Sequence, residues 1–219
     1  MVYGIPNVLT RAVFDRLLLE LGRYFAHQPR PARSLLFIAV TAEEKGMLGS
    51  KYYATEPLYP LERTAAVINM DTVLGMGRTR SVMVLGDSQN TVQDQLQQLA
   101  QHSGRYLEPD PRPEAGLFTR SDNFPFAKQG VPSLSFSPGT DLLSGGTAVG
   151  LAAKLSYAAK QYHQPGDRYE ASMDFGNMPE DALLLAQLGG AIAATNEWPD
   201  WKVGSEFKPV RDRSRGARH

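Results

Sequence analysis

A three-layer α/β sandwich around a mostly parallel central sheet is the fold class this sequence predicts. Three observations predict it. Several short apolar runs are continuous rather than alternating, as strands buried on both faces require. Those runs alternate with longer segments of helical periodicity. No linker, repeat or composition shift divides the chain, so one core must serve it. With 219 residues, 42% of them hydrophobic, the chain is long enough to close that core.

The elements follow in order. Residues 11–26 form an amphipathic helix, with Phe14, Leu17, Leu18, Leu21 and Phe25 at helical spacing and Pro29 and Pro31 as breakers. Ser34–Thr41 is an unbroken apolar strand buried on both faces, and Ala65–Asp71 is a second. Ser81–Leu85 is a shorter third, ended by Gly86 and Asp87. Val92, Leu96 and Leu99 line one face of a helix from Thr91 to His102. Val131–Phe136 is a further buried strand, entered by Gly130 and left through Pro138 and Gly139. Thr147–Tyr162 is an Ala-rich helix, and a last helix starts at Pro179 and runs to Asn196. One domain therefore spans residues 1–198. Residues 199–219 form a C-terminal extension whose end, Arg211–His219, is polar, basic and expected to be disordered.

Composition excludes some functions. Lys plus Arg equals Asp plus Glu at 23 each, so the basic excess of a nucleic-acid binder is absent. There is no cysteine, hence no disulfide, no thiolate metal site and no cysteine nucleophile. Any metal site must use His, Asp and Glu. No apolar run reaches the roughly 20 residues of a membrane span. Met1–Thr10 does not read as a signal peptide, so a signal exporting the protein to the periplasm or beyond would lie upstream of this sequence.

Chemistry concentrates in three places. Glu43 and Glu44, in Thr41-Ala42-Glu43-Glu44-Lys45-Gly46, follow directly on a buried strand. The carboxyl ends of strands are where open α/β sheets bind ligands. Gly46 and Gly49 allow a tight turn there. Taken alone, the pair reads more readily as the acidic first turn of a helix. Asp71 closes the next buried strand, in Ile68-Asn69-Met70-Asp71, and would sit at the same sheet edge. Taken alone it reads equally as a turn or capping aspartate. His163, in Tyr162-His163-Gln164-Pro165-Gly166-Asp167, lies on a loop after a helix, where a lone histidine is ordinarily a surface residue. His27, His102 and His219 are read as structural or surface residues. Together, two glutamates, one aspartate and one histidine make a donor set suited to zinc and to metal-assisted hydrolysis.

These segments also resemble a known family as a set. RSLLFIAVTAEEKGMLGSKYYA, AAVINMD, RSDNFPFAKQGVPSLSF and YHQPGD occur in this order and at this spacing in the co-catalytic di-zinc aminopeptidases, the family of bacterial leucyl aminopeptidase and aminopeptidase Y. The resemblance runs from about residue 12 to residue 196. It implies a zinc-exopeptidase-like fold, peptide substrates and two zinc ions. It makes Glu43 the general base and Glu44 and His163 ligands of one zinc. Asp71 becomes a ligand of the other zinc, and Tyr162 a hydrogen-bond donor to the tetrahedral intermediate, as in some members.

The same resemblance implies two further ligands upstream, a His in an H-x-D segment and a bridging Asp. Aligning the helix places that Asp near Leu9–Arg11, where the sequence reads Gly4-Ile5-Pro6-Asn7-Val8-Leu9-Thr10-Arg11 with no acid. Asp15 is the nearest carboxylate and falls inside the helix. The expectation is a truncated chain lacking the family's N-terminal strands, with weak or partial zinc binding and impaired activity. Two alternatives stand beside it: a single-zinc enzyme like the related glutaminyl cyclases, and a non-catalytic remnant of the same fold.

Overall fold

The computed structural model describes residues 2–3, 8–71, 74–86, 88–165 and 167–218, with side chains from Arg16 onward. Gly4–Asn7 and the Asp15 side chain, which bear on the expected bridging carboxylate, lie outside that set.

The chain opens with a two-residue strand, β1 (Val2–Tyr3), and a long helix, α1 (Val8–Ala26). Strand β2 (Ile38–Ala39) leads through a 3-10 turn, Glu43–Lys45, into helix α2 (Leu48–Thr55). Strands β3 (Val67–Met70) and β4 (Ser81–Val84) precede α3 (Thr91–His102). Then come β5 (Tyr106–Glu108), the short helices α4 (Leu117–Arg120) and α5 (Phe124–Lys128), and β6 (Ser133–Pro138). Helices α6 (Gly146–Lys160), α7 (Met178–Ala194) and α8 (Lys208–Arg213) complete the chain.

Among the described residues the sheet is six-stranded, in the order β2-β1-β3-β6-β4-β5. Every pairing is parallel except β4 with β6. The mostly parallel α/β sandwich is thus the observed architecture. Helices cover both faces, as a sheet buried on both sides requires. On one face, Ile68 and Met70 of β3, Val82 and Val84 of β4 and Leu134 of β6 pack with Leu96 of α3 and Leu184, Leu185 and Leu188 of α7. On the other face, Val67 meets Ala54 of α2, Phe126 of α5 and Val131. Adjacent residues of β3 therefore serve opposite faces, the period-two geometry of a strand.

Helix α3 has the bounds its sequence predicts because Asn90 caps it. The Asn90 side chain accepts from the backbone N–H groups of Val92 and Gln93, at 3.0 and 3.2 Å. Strand β2 differs from the expectation of a long strand over Ser34–Thr41 buried on both faces. Only Ile38–Ala39 is in the ladder, Ile38 is half-buried and Ala39 exposed. The reason is position: β2 is the outer strand of the described sheet, with the two-residue β1 as its neighbour.

The C-terminal segment also differs. Disorder was expected over Arg211–His219, yet α8 runs to Arg213 and a 3-10 turn follows at Arg215–Ala217. Arg211 is 1% exposed. Its guanidinium donates to Thr64 O (3.0 Å), Ala65 O (3.2 Å) and Pro199 O (3.1 Å). It also lies over the Trp198 ring, 5.5 Å from its centroid. A basic side chain that reads as solvated is buried because folding supplies carbonyl acceptors from distant turns. Gly130 permits this approach: at φ +84 it adopts a left-handed conformation, and a Cβ there would lie 2.7 Å from Arg211 N.

Candidate active site

Glu43 and Glu44 sit on the turn that joins β2 to α2. This turn is built under strain. Ala42 (φ 59) and Met47 (φ 58) flank it in the left-handed region, a conformation that costs a non-glycine residue roughly 1–3 kcal/mol when held in place. Gly46 (φ 97) supplies a third left-handed residue at no such cost. Backbone bonds hold the loop closed: Gly46 N and Met47 N both donate to Glu43 O at 2.8 Å, and Gly49 N donates to Thr41 O at 2.9 Å. A Cβ at Gly49 would lie 2.6 Å from Thr41 N and O. Only glycine lets the first turn of α2 rest on the end of the strand. The acidic pair is therefore projected from a fixed loop, with Glu43 half-buried and Glu44 exposed.

Asp71 follows the last residue of β3. His163 follows α6 at φ 60, again left-handed for a non-glycine residue. Its Nε2 lies 2.6 Å from Glu44 Oε1. Tyr162 stacks on the His163 ring, with centroids 3.7 Å apart and an interplanar angle of 24°. The structure thus brings together all five residues singled out by sequence: Glu43, Glu44, Asp71, Tyr162 and His163.

Sequence reasoning assigned no role to Arg120, Ser121 or Asp122, which also face this site. Asp122 is 0% exposed, and its Oδ1 accepts from Ser50 Oγ at 2.5 Å. The signal was present, because Arg120-Ser121-Asp122 opens one of the segments carrying the family resemblance. Periodicity gave it no weight, since it spans the junction of two short helices.

The electrostatics follow from crowding of carboxylates. Burial, then the charges of Asp71, Glu44 and Asp122, push the Glu43 carboxyl up to about 8, with Arg120 opposing. Burial, then Asp122 and Glu44, raise Asp71 to about 7; Ser121, within hydrogen-bonding reach, opposes. Burial raises Asp122 to about 6 against the hydrogen bond from Ser50. The Tyr162 phenol is driven upward by burial and by the charges of Asp71, Glu44 and Glu43, so it remains a proton donor at neutral pH. Arg120, itself exposed, is the cation that lowers both Glu43 and Tyr162.

A site of this kind favours a cation. Glu44 and His163 present an oxygen and an imidazole nitrogen side by side, the borderline donor types that zinc takes. Asp71 offers a second carboxylate nearby. Among the described residues, however, no group of three His, Asp or Glu side chains converges as a metal would require.

The raised carboxyls make a prediction for the metal-free protein. Groups whose folded pKa is raised hold their protons more tightly in the folded state. Their contribution to stability is complete below the unfolded values and is lost as pH rises through about 6, 7 and 8 for Asp122, Asp71 and Glu43. Glu44, Tyr162 and Arg120 face these carboxyls, and His163 pairs with Glu44. With chelator present, the Tm should fall between about pH 5 and pH 9, and excess zinc should reduce the fall. A loss of about 1 kcal/mol moves the Tm of a chain this size by roughly 2–4 °C, so thermal scans resolve it. A chelated protein that is more stable at the higher pH would refute the crowding.

Fold and site together define an α/β protein with an acidic, histidine-bearing centre at the carboxyl edge of its parallel strands. The sequence model of peptidase family M28 matches residues 15–183. The chain belongs to peptidase family M28. Its fold is similar to the crystal structure of the LapA aminopeptidase of Legionella pneumophila, with a TM-score of 0.58 at 13% identity, over 90% of this chain and 52% of that one. A second LapA structure gives 0.57 at 12% identity, over 89% and 53%. The chain thus spans about half the length of the solved structures it matches. No curated protein matches it. At that identity the likeness is one of fold, and the site rests on this chain's own residues.

Proposed function

We propose that this chain carries the site of a zinc-dependent aminopeptidase, which hydrolyses the N-terminal peptide bond of peptides, with weak zinc binding and impaired activity because two ligands for one ion and one for the other fall short of three. The observation that carries the reading is the pairing of His163 Nε2 with Glu44 Oε1 at 2.6 Å, with the half-buried Glu43 carboxyl on the same turn. A general base must stand within reach of the proton it takes. Membership of a peptidase family supports peptides as the substrate class.

Glu44 and His163 would hold one zinc, and Asp71 would serve a second. Bound there, zinc supplies a Lewis acid for the scissile carbonyl. The remaining work belongs to the chain. Glu43 takes a proton from the attacking water and returns it to the leaving amine. Tyr162 keeps its phenolic proton and can donate a hydrogen bond to the oxygen on which charge develops. The strained loops around Glu43 and at His163 hold their side chains in place, so little reorganisation is needed during reaction.

The test is release of the amino acid from aminoacyl chromogenic amides by the zinc-supplied protein, with and without chelator. Chelator-sensitive release supports the reading. Cyclisation of an N-terminal glutamine without such release would favour the single-zinc cyclase instead. Neither reaction, with no zinc retained, would point to a non-catalytic remnant.

A further inference from the structure

The segment Arg120-Ser121-Asp122-Asn123 carries family resemblance, yet the proposed chemistry uses none of it. Its geometry is specific. Ser50 and Asp122 are both 0% exposed, and the 2.5 Å hydrogen bond between them joins residues 72 apart in sequence. Ser50 lies in the first turn of α2, one residue after Gly49, whose N–H is tied to Thr41 O. The Ser50 hydroxyl also lies 3.2 Å from Met47 O, the left-handed residue that closes the Glu43–Glu44 loop. With one proton to give, the hydroxyl favours the shorter, charge-assisted bond to the carboxylate. Behind Asp122 the segment is anchored. Asn123 O accepts from Ser133 Oγ (3.3 Å) at the start of β6, and Asn123 Nδ2 donates to Phe118 O (3.4 Å). Ser121 donates to Leu117 O (3.0 Å) and lies within reach of Asp71. This segment therefore borders both carboxylate-bearing strand ends, with Ser121 acting on Asp71 and Asp122 reaching the Glu43–Glu44 loop through Ser50.

We propose that Asp122 is a positioning residue, which holds the strained Glu43–Glu44 loop in register with Asp71 through its buried hydrogen bond to Ser50. A loop closed by two left-handed non-glycine residues will relax unless its surroundings hold it. The backbone bonds within the loop are local and would tolerate its displacement as a unit. The Ser50–Asp122 bond fixes the loop to a separate element from its buried side, as the exposed Glu44–His163 contact does at the surface. Among the described residues the other Asp122 oxygen is buried without a hydrogen-bond partner. An apolar residue would fill this space at lower desolvation cost, so burial alone does not account for a carboxylate here.

The test uses Ser50→Ala, Asp122→Ala and Asp122→Asn in the full chain. Asparagine keeps an acceptor oxygen for Ser50. Hydrogen exchange of residues 41–50 should accelerate on the order of tenfold in both alanine variants, while residues 65–71 of the core strand keep wild-type protection. Asp122→Asn should restore most of the protection. The catalytic arm rests on the aminopeptidase reading: kcat should fall about tenfold to a hundredfold in the alanine variants with KM little changed. The two arms separate the failures. If the wild type releases no amino acid, the functional reading fails, and hydrogen exchange still decides this inference. Wild-type exchange at 41–50 in both Ser50→Ala and Asp122→Ala would overturn it. So would equal acceleration across 41–50 and 65–71, which would make the bond merely a global stabiliser.

Discussion

Replacing Glu43 by glutamine is expected to lower aminoacyl-amide hydrolysis by roughly 100- to 10,000-fold while leaving zinc bound. Glutamine has the same shape and keeps an oxygen in place, but it cannot take a proton from water. The site makes Glu43 the proper target. It is half-buried, it stands beside the Glu44–His163 pair without being part of it, and its carboxyl is held at about 8 by burial and by Asp71, Glu44 and Asp122. Glutamine is neutral and of the same size, so it should fit the half-buried position without adding charge to the crowded cluster. Metal content and the rate constant, measured on one preparation, check the prediction. An unchanged rate with zinc bound would assign the proton transfer to another group.

Alanine substitutions should divide the proposed metal ligands into two sets. Glu44→Ala and His163→Ala are each expected to weaken the same ion, because Glu44 Oε1 and His163 Nε2 lie 2.6 Å apart. Asp71→Ala should weaken the other ion. With so few protein ligands per ion, deleting one should reduce affinity by more than the roughly 10- to 100-fold typical of losing only a supporting hydrogen bond. Titration of each variant with zinc, read as stoichiometry and affinity, separates the sets. Loss of the same ion in Asp71→Ala and His163→Ala would show that the two residues share one site, the arrangement of the single-zinc alternative.

Much of the fold was legible because its signals are local. Asn90 caps α3 three residues or fewer from the groups it satisfies, so the helix starts where its sequence says. Helix α2 was missed for an equally physical reason. Its buried residues are Ser50 and Ala54, while Leu48 and Tyr52 are exposed, so it carries no apolar stripe to read. Strand β5 has three residues, too few to show a period. The length of β2 was misjudged because an apolar run does not say whether a strand is central or at an edge. The C-terminal segment was misjudged because the partners of Arg211 lie as far as 147 residues away.

The candidate site divides along the same line. The sequence by itself placed Glu43, Glu44 and Asp71 at strand ends, and a parallel sheet then obliges them to share one edge. It also placed His163 on a loop and, through the order of its motifs, pointed to the family. Tertiary structure decided which of these groups touch. It set His163 against Glu44, stacked Tyr162 on His163, and buried Asp122 behind the Glu43–Glu44 loop with Ser50 as its partner. It also decided their protonation, because a carboxyl's pKa is set by burial and neighbouring charge rather than by flanking residues. Periodicity and capping act over a few residues and can be read along the chain, whereas a buried polar pair is made by two segments that meet only when the chain has folded.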